Sequence, residues 1–418
     1  MSNQVSPRVR DLDIVVYGAT GFVGVLTAGH LAAHAPAGTR IALAGRSAAR
    51  LEAVRTKLGV DWPVLVADAA DASAVEKLAA AAHVVITTVG PYAKYGRALA
   101  HACAAAGTDY VDLTGEVLFA RDSIDENHEL ARSTGARIVH SCGFDSIPSD
   151  LGVHVLHARI EADGAGALTD TTLVVTSFRG GASGGTIDSL RHQLDVVKND
   201  RGLRRLAANP YALSPAPDEE PDFGPQSDME TPRAAEVDPS LRGSLAPFVM
   251  APYNTRVVRR SNALRGFAYG RRFRYREAMS TGRSPLSPVL AIATKVGLGA
   301  LVLGLSLPPT RFVLDRILPK PGEGPDERAR REGHFTVDLF TRTTTGARYK
   351  ARVRAKGDPG YAATAVMLGE SALALALDRS ALPASPGGVL TPATGIGDAL
   401  VARLRAAGLE ITAGAIDG

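Results

Sequence analysis

With 418 residues, 45% of them hydrophobic and 22% charged, the chain has the composition of an ordinary globular protein with room for two or three domains, which excludes a fibrous or disordered class. Its 47 Lys and Arg against 43 Asp and Glu leave a formal charge of +4, too small over this length to argue for nucleic acid as a partner. The two cysteines, Cys103 and Cys142, and the lack of an apolar signal core in residues 1–13 speak against secretion and for a reducing cytoplasm.

In chain order, short apolar runs at residues 13–17, 40–44, 63–67, 83–87, 109–112 and 136–139 read as strands. The Ala- and Leu-rich stretches between them, residues 21–34, 48–58, 72–81, 96–106 and 118–134, read as helices, several ending at Gly. Strand and helix in alternation predict an α/β fold, a Rossmann-type doubly wound parallel sheet occupying residues 1–150. Beyond residue 150 the rhythm changes, and a second α+β substrate or partner domain is expected over residues 151–360. Within it, residues 209–247 are rich in Pro, Asp and Glu and read as a loop-rich surface insertion. Residues 335–355 alternate around Thr345-Gly346 as a hairpin, with Phe335, Val337 and Leu339 facing Tyr349, Ala351 and Val353. Residues 361–378 read as one long helix, the start of a C-terminal helical segment, 361–418, packing back on the first domain.

The sharpest motif is YGATGFVG at residues 17–24. It follows an apolar strand and opens a helix, the context in which a glycine pattern signals a dinucleotide. Gly18 permits the tight turn, Gly21 lets backbone N–H groups approach a pyrophosphate and Gly24 lets helix and strand pack closely, while Thr20 and Phe22 complete the cradle at a helix N-terminus. The second strand ends in AGRS, residues 44–47. An acid there would bind the ribose 2′-hydroxyl of NAD; Arg46 and Ser47 suit the 2′-phosphate of NADP, with Arg46 as a plain surface cation and NAD use as the alternative. Asp68 either bonds the adenine amino group or caps the next helix. Thr88, Gly90 and Pro91, in TVGPY, lie at the carboxyl end of the fourth strand, where the nicotinamide half of a cofactor is expected.

Five motifs, YGATGFVG, AGRS, TVGPY, DYVDLTGE at 109–116 and CGFDSIPSD at 142–150, resemble those of saccharopine dehydrogenase-like oxidoreductases. Within that group the chain is similar to the trans-acting enoyl reductases of phthiocerol and phenolphthiocerol lipid synthesis. The resemblance implies a polyketide synthase partner without a working enoyl reductase, whose carrier-bound acyl chain is reduced in trans at its α,β-double bond. An amino- or imino-acid dehydrogenase with arginine clamps, and a non-catalytic lipid-associated nucleotide-binding protein, are the rival readings.

Enoyl reduction needs a proton donor. Tyr92 is the first choice from the sequence, with a purely packing ring as its bland reading. Asp145 is the second candidate, or else the cap of a helix beginning near Pro148. No Tyr-x-x-x-Lys pair occurs, and the histidines and cysteines show no ligand-like spacing, so no metal is expected. Nine arginines between residues 255 and 283, against the single acid Glu277, read either as a docking patch for an acidic carrier domain, a phosphopantetheine phosphate or anionic headgroups, or as the solvated face of strands whose Phe267, Tyr269, Phe273 and Tyr275 point inward. Residues 286–307 are almost wholly apolar around Lys295. A buried or acyl-channel helix is the favoured reading, ahead of peripheral contact with the inner face of the plasma membrane and ahead of a span. Oligomeric state is left open.

Overall fold

The structure, a computed structural model, describes residues 10–181, 184–318 and 324–416. Its first half holds β1 (Leu12–Tyr17), β2 (Ile41–Gly45), β3 (Val64–Val66), β4 (Ala82–Thr87), β5 (Asp109–Val111) and β6 (Arg137–Val139), each within a residue or so of the predicted run. A second group comprises β7 (Leu168–Arg179), β8 (Leu245–Pro247), β9 (Arg274–Ser280), β10 (His334–Thr343) and β11 (Arg348–Lys356), followed by β12 (Gly388–Leu390) and β13 (Glu410–Ala415). Among the described residues they form a parallel sheet in the order β12-β6-β5-β4-β1-β2-β3 and a mixed sheet in the order β13-β11-β10-β7-β9-β8.

The parallel sheet has helices on both faces, so its strands are apolar on both sides: Ile14, Val15 and Val16 in β1 and Val84, Val85 and Ile86 in β4 are all fully buried. The strand order reverses between β1 and β4, and at such a switch point the strand ends open into a crevice that can take a ligand.

The sequence pattern shows neither β12 nor β13. The C-terminal segment is therefore more than helical: Thr364–Leu377 packs on Phe22–His34, where His30 Nε2 lies 2.8 Å from Glu370 Oε1, but β12 also extends the parallel sheet beside β6 and β13 closes the mixed sheet beside β11. Three residues of β12 are too few for a periodic signal, and the alternation in β13 is diluted by Gly and Ala.

The hairpin of β10 and β11 turns at Gly346, whose φ of +86° suits glycine, and it pairs Val337 with Val353 and Leu339 with Ala351. Helix Ile147–Ala162 packs on the mixed sheet, against β7, β10, β11 and β13, with Leu151, Leu156 and Ile160 fully buried. At Gly152 the approach is so close that a Cβ would lie 2.7 Å from Leu339 Cδ1. Core side chains of the two sheets merge into one apolar cluster across this helix.

Residues 209–247 wrap over helix Ala251–Leu264 instead of standing off the surface. They take up its arginines: Arg256 pairs with Asp228 at 2.6 Å, Arg259 donates to Pro210 O and Gln226 Oε1, and Arg260 donates to Leu213 O at 2.6 Å and to Val389 O of β12 at 2.6 Å. These three guanidiniums are buried on a helix, which corrects their assignment to an exposed docking patch or to solvated strands. Phe267, Tyr269, Phe273 and Tyr275 do point inward.

Residues 286–307 bring the second correction. Helix Ser287–Ser306 is neither a core helix nor a channel wall, because Val289, Ile292, Val296 and Leu303 are each 60% or more exposed.

Candidate nucleotide and acyl site

The turn after β1 is held from below by main-chain bonds, Gly18 N to Ala44 O at 2.9 Å and Gly21 N to Gly18 O at 2.9 Å. Gly18 has φ +86°, and a Cβ there would meet Thr88 Oγ1 at 2.6 Å; at Gly24 it would lie 2.1 Å from Gly18 O. Only glycine lets the helix, the turn and the end of β4 close together. Thr88 Oγ1 completes the contact by donating to Gly18 O at 3.1 Å. Helix Phe22–His34 starts at Gly21 with no side-chain cap and no acid in its first turn. Its leading N–H groups and positive dipole end are thus available to an anion. Phe22 stacks edge-on against Tyr361 at 4.8 Å, so the second residue group of the cradle is braced by the C-terminal segment.

At the end of β2, Arg46 is exposed and among the described residues makes no ion pair. Ser47 caps Ala48–Leu58, accepting from Arg50 N at 3.4 Å, a bond that leaves its own proton to donate. Asp68 is not the cap of the next helix. It closes a turn by accepting from Ala70 N at 2.9 Å, and Asp71 caps Ala72–Ala81. A glycine cradle that a Cβ would fill, an uncapped helix N-terminus and a free guanidinium beside the ribose position fit an NADP dinucleotide.

Gly90-Pro91, a cis peptide, and the short helix Tyr92–Tyr95 follow β4. The amides of Tyr92 and Ala93 donate to the two carboxylate oxygens of buried Glu116, at 2.9 and 2.8 Å. The loops after β5 and β6 converge on this edge: Ser141 N donates to Asp112 Oδ1 at 2.8 Å, Cys142 N to Asp112 O at 2.7 Å and Ser141 Oγ to Thr114 O at 2.7 Å. Asp112 also accepts from Tyr110 and lies 2.7 Å from His140 Nδ1, whose other nitrogen meets Ser123 Oγ at 2.8 Å. The Tyr110–Asp112 part of this chain was open to view in the sequence, since residues two apart on a strand share a face. Tyr253, which meets Ser141 Oγ at 2.6 Å, comes from a distant helix and leaves no local signal.

Tyr92 is placed as a packing group. Its ring is buried against Phe119, its hydroxyl donates to Thr87 O at 3.3 Å and accepts from Leu113 N at 3.2 Å, and burial holds its pKa well above the ordinary value. Both bonds point back into the fold, as the packing reading of the ring describes. Asp145 is half-buried and makes no cap: helix Ile147–Ala162 starts at Ser146, whose hydroxyl bonds Asn254 instead. Desolvation pushes the Asp145 carboxyl up to about 7, with nearby Asp112 adding to the rise. Beside it, the Phe144 ring gathers Phe335 at 4.8 Å, Phe178 at 5.9 Å and Phe248 at 6.4 Å, an apolar cluster next to the carboxyl in the loop after β6. Among the described residues no group of three or more His, Cys, Asp or Glu side chains could hold a metal.

The fold and the cradle define a Rossmann-type dinucleotide-binding oxidoreductase with a fused second sheet. Residues 14–139 match the saccharopine dehydrogenase NADP-binding domain. A trans-acting enoyl reductase of Mycobacterium tuberculosis is 50% identical over 416 residues, covering 97% of this chain and 98% of that one. A trans-acting enoyl reductase of Mycobacterium ulcerans is 49% identical over 420 residues, with 98% and 99% covered. The apo saccharopine dehydrogenase (L-Glu forming) of Saccharomyces cerevisiae superposes with a TM-score of 0.52 at 14% identity, over 97% of this chain and 100% of that one. The chain belongs to the saccharopine dehydrogenase-like family of trans-acting enoyl reductases.

Proposed function

We propose that this protein is an NADPH-dependent trans-acting enoyl reductase, reducing the α,β-double bond of a fatty or polyketide chain carried by a synthase's acyl carrier domain. Bound NADPH supplies the hydride that adds to the β-carbon. Gly18, Thr20, Gly21, Phe22 and Gly24 hold the pyrophosphate, Arg46 and Ser47 the 2′-phosphate, and the chain at Thr88, Gly90 and Pro91 borders the nicotinamide half. Asp68, turned at the end of β3, is assigned the adenine side. We assign the α-carbon proton to Asp145: a carboxyl with a pKa of about 7 is protonated in part at neutral pH and can be recharged from solvent, because it is only half-buried.

The observation that carries the acyl reading over an amino-acid dehydrogenase is the apolar setting of Asp145, next to the phenylalanine cluster around Phe144. A small dicarboxylate would need free guanidiniums, and Arg256, Arg259 and Arg260 are spent on Asp228, Gln226 and backbone carbonyls. Conversion of an enoyl thioester to its saturated product, coupled to NADPH consumption, tests this; conversion of an amino acid instead would favour the rival. NADP is assigned over NAD on Arg46. We place the protein in the cytoplasm, at the inner face of the membrane, on the exposed apolar side chains of helix Ser287–Ser306.

A further inference from the structure

Helix Ser287–Ser306 and the following helix Pro308–Ile317 pack on each other and leave an apolar face uncovered. On the first, Ile292, Val296 and Leu303 are each about two-thirds exposed. On the second the usual polarity is inverted: Arg311 and Asp315 turn toward the body of the protein and pair with Asp195 and Arg191 of helix Gly184–Asn199, at 2.6 and 2.8 Å, while Phe312, Val313 and Ile317 point outward. A surface helix in water buries its apolar stripe; this one leaves Phe312, Val313 and Ile317 in solvent although it ties Arg311 and Asp315 to a neighbouring helix, over a patch far larger than scattered single residues.

We propose that this helix pair is a docking element that seats the protein on an anionic lipid bilayer. It deepens, and rests on, the placement at a membrane face given above. Three features favour lipid over a protein partner. Beyond Ser287 at its base, the hydroxyls of the pair are satisfied within it, Thr294 donating to Leu290 O, Ser306 to Val302 O and Thr310 to Gly304 O, which suits hydrocarbon. The cations Arg283, Lys295 and Arg316 are exposed and have no acidic partner among the described residues, a match for acidic headgroups. The same cations would repel one another across a symmetric contact between two copies.

The pair lies on the bilayer and does not cross it. The chain enters from β9 and returns to β10, and both strands pair with β7, so entrance and return are on one side. The returning helix has ten residues, about 15 Å against a hydrocarbon core of about 30 Å. Docking also reaches the site: helix Gly184–Asn199, on which the pair rests, bonds the loop after β5 through Ser189 Oγ to Glu116 at 2.7 Å and Gln193 Nε2 to Gly115 O at 3.5 Å.

Flotation of the full chain with phosphatidylglycerol and with phosphatidylcholine vesicles tests the proposal. The protein is expected to float with the anionic vesicles and at least about tenfold less with the neutral ones. Ile292→Asp with Val296→Asp should abolish flotation, and Lys295→Glu with Arg316→Glu should weaken it about tenfold or more, each with NADPH binding and turnover of a short soluble enoyl thioester unchanged. Those two readouts separate docking from the reaction: a protein that floats but turns nothing over fails only the enzymatic reading. Absence of flotation with either vesicle overturns the proposal, and so does a dimer in light scattering that Ile292→Asp with Val296→Asp splits, which would give the face to a second copy.

Discussion

A methyl group at Gly24 would sit 2.1 Å from the Gly18 carbonyl oxygen, and no side-chain rotation relieves a clash between two backbones. Gly24→Ala is therefore expected to displace helix Phe22–His34 from β1 and to reduce NADPH affinity by at least about tenfold, read by fluorescence titration. Arg46 is assigned to the other end of the cofactor. Loss of a charge-assisted bond of about 1.5–3 kcal/mol should make Arg46→Asp about ten- to a hundredfold weaker for NADPH while NADH is little affected; equal losses for both would remove the 2′-phosphate assignment. Asp145 gives a pH test. Its carboxyl titrates near 7, so turnover should fall as pH rises through that value, and Asp145→Asn should lower kcat by about a hundredfold and flatten the profile with KM little changed. Buried Glu277 bears on stability. Desolvation raises its pKa to about 7, despite bonds from Tyr275 and Asn254, so the folded chain holds a proton that the unfolded chain releases near its ordinary value. Folding stability from this group is full at acid pH and lost as pH climbs toward 7, and the melting temperature should decline across that window, less so in Glu277→Gln.

Helix Ala251–Leu264 shows how an element can carry charge without displaying it. Arg260 joins residues 209–247 to β12 through Leu213 O and Val389 O. Arg260→Ala leaves both carbonyls unpaired and should cost about 3 kcal/mol in denaturant unfolding; a loss below about 1 kcal/mol would show that the arginine is dispensable. The same helix marks the limit of what the sequence discloses. The first six strands and their helices are legible because each is a local apolar run ended by Gly or a polar cap, and the cradle is legible because its glycines must stand at fixed spacing. The arginines looked like a surface because composition does not say which residues will cover them, and the cover, residues 209–247, lacks periodicity. The apolar segment 286–307 failed in the opposite sense: hydrophobicity implies removal from water, but the sequence does not say whether protein or lipid does the removing. The inward bonds of Tyr92 and the half-burial of Asp145 are hidden for a similar reason, since burial and bond direction at a sheet edge depend on loops that are far apart in the chain.

At the scale of the molecule the two sheets share one core through helix Ile147–Ala162. They are expected to unfold in a single transition, with NADPH raising the midpoint of both near-UV and far-UV signals together; separate transitions would mean that the sheets are independent domains. The phenylalanine cluster around Phe144 stands where the loop after β6 meets the mixed sheet, and an apolar setting of this kind is what the proposed acyl substrate requires. The direct measurement is NADPH oxidation by the full chain with an enoyl thioester on an acyl carrier protein, followed by mass spectrometry of the acyl group. One NADPH consumed for each chain gaining two hydrogens is the expected result; NADPH that binds but is not oxidised with any enoyl carrier, or oxidised only with a small imino acid, would contradict it.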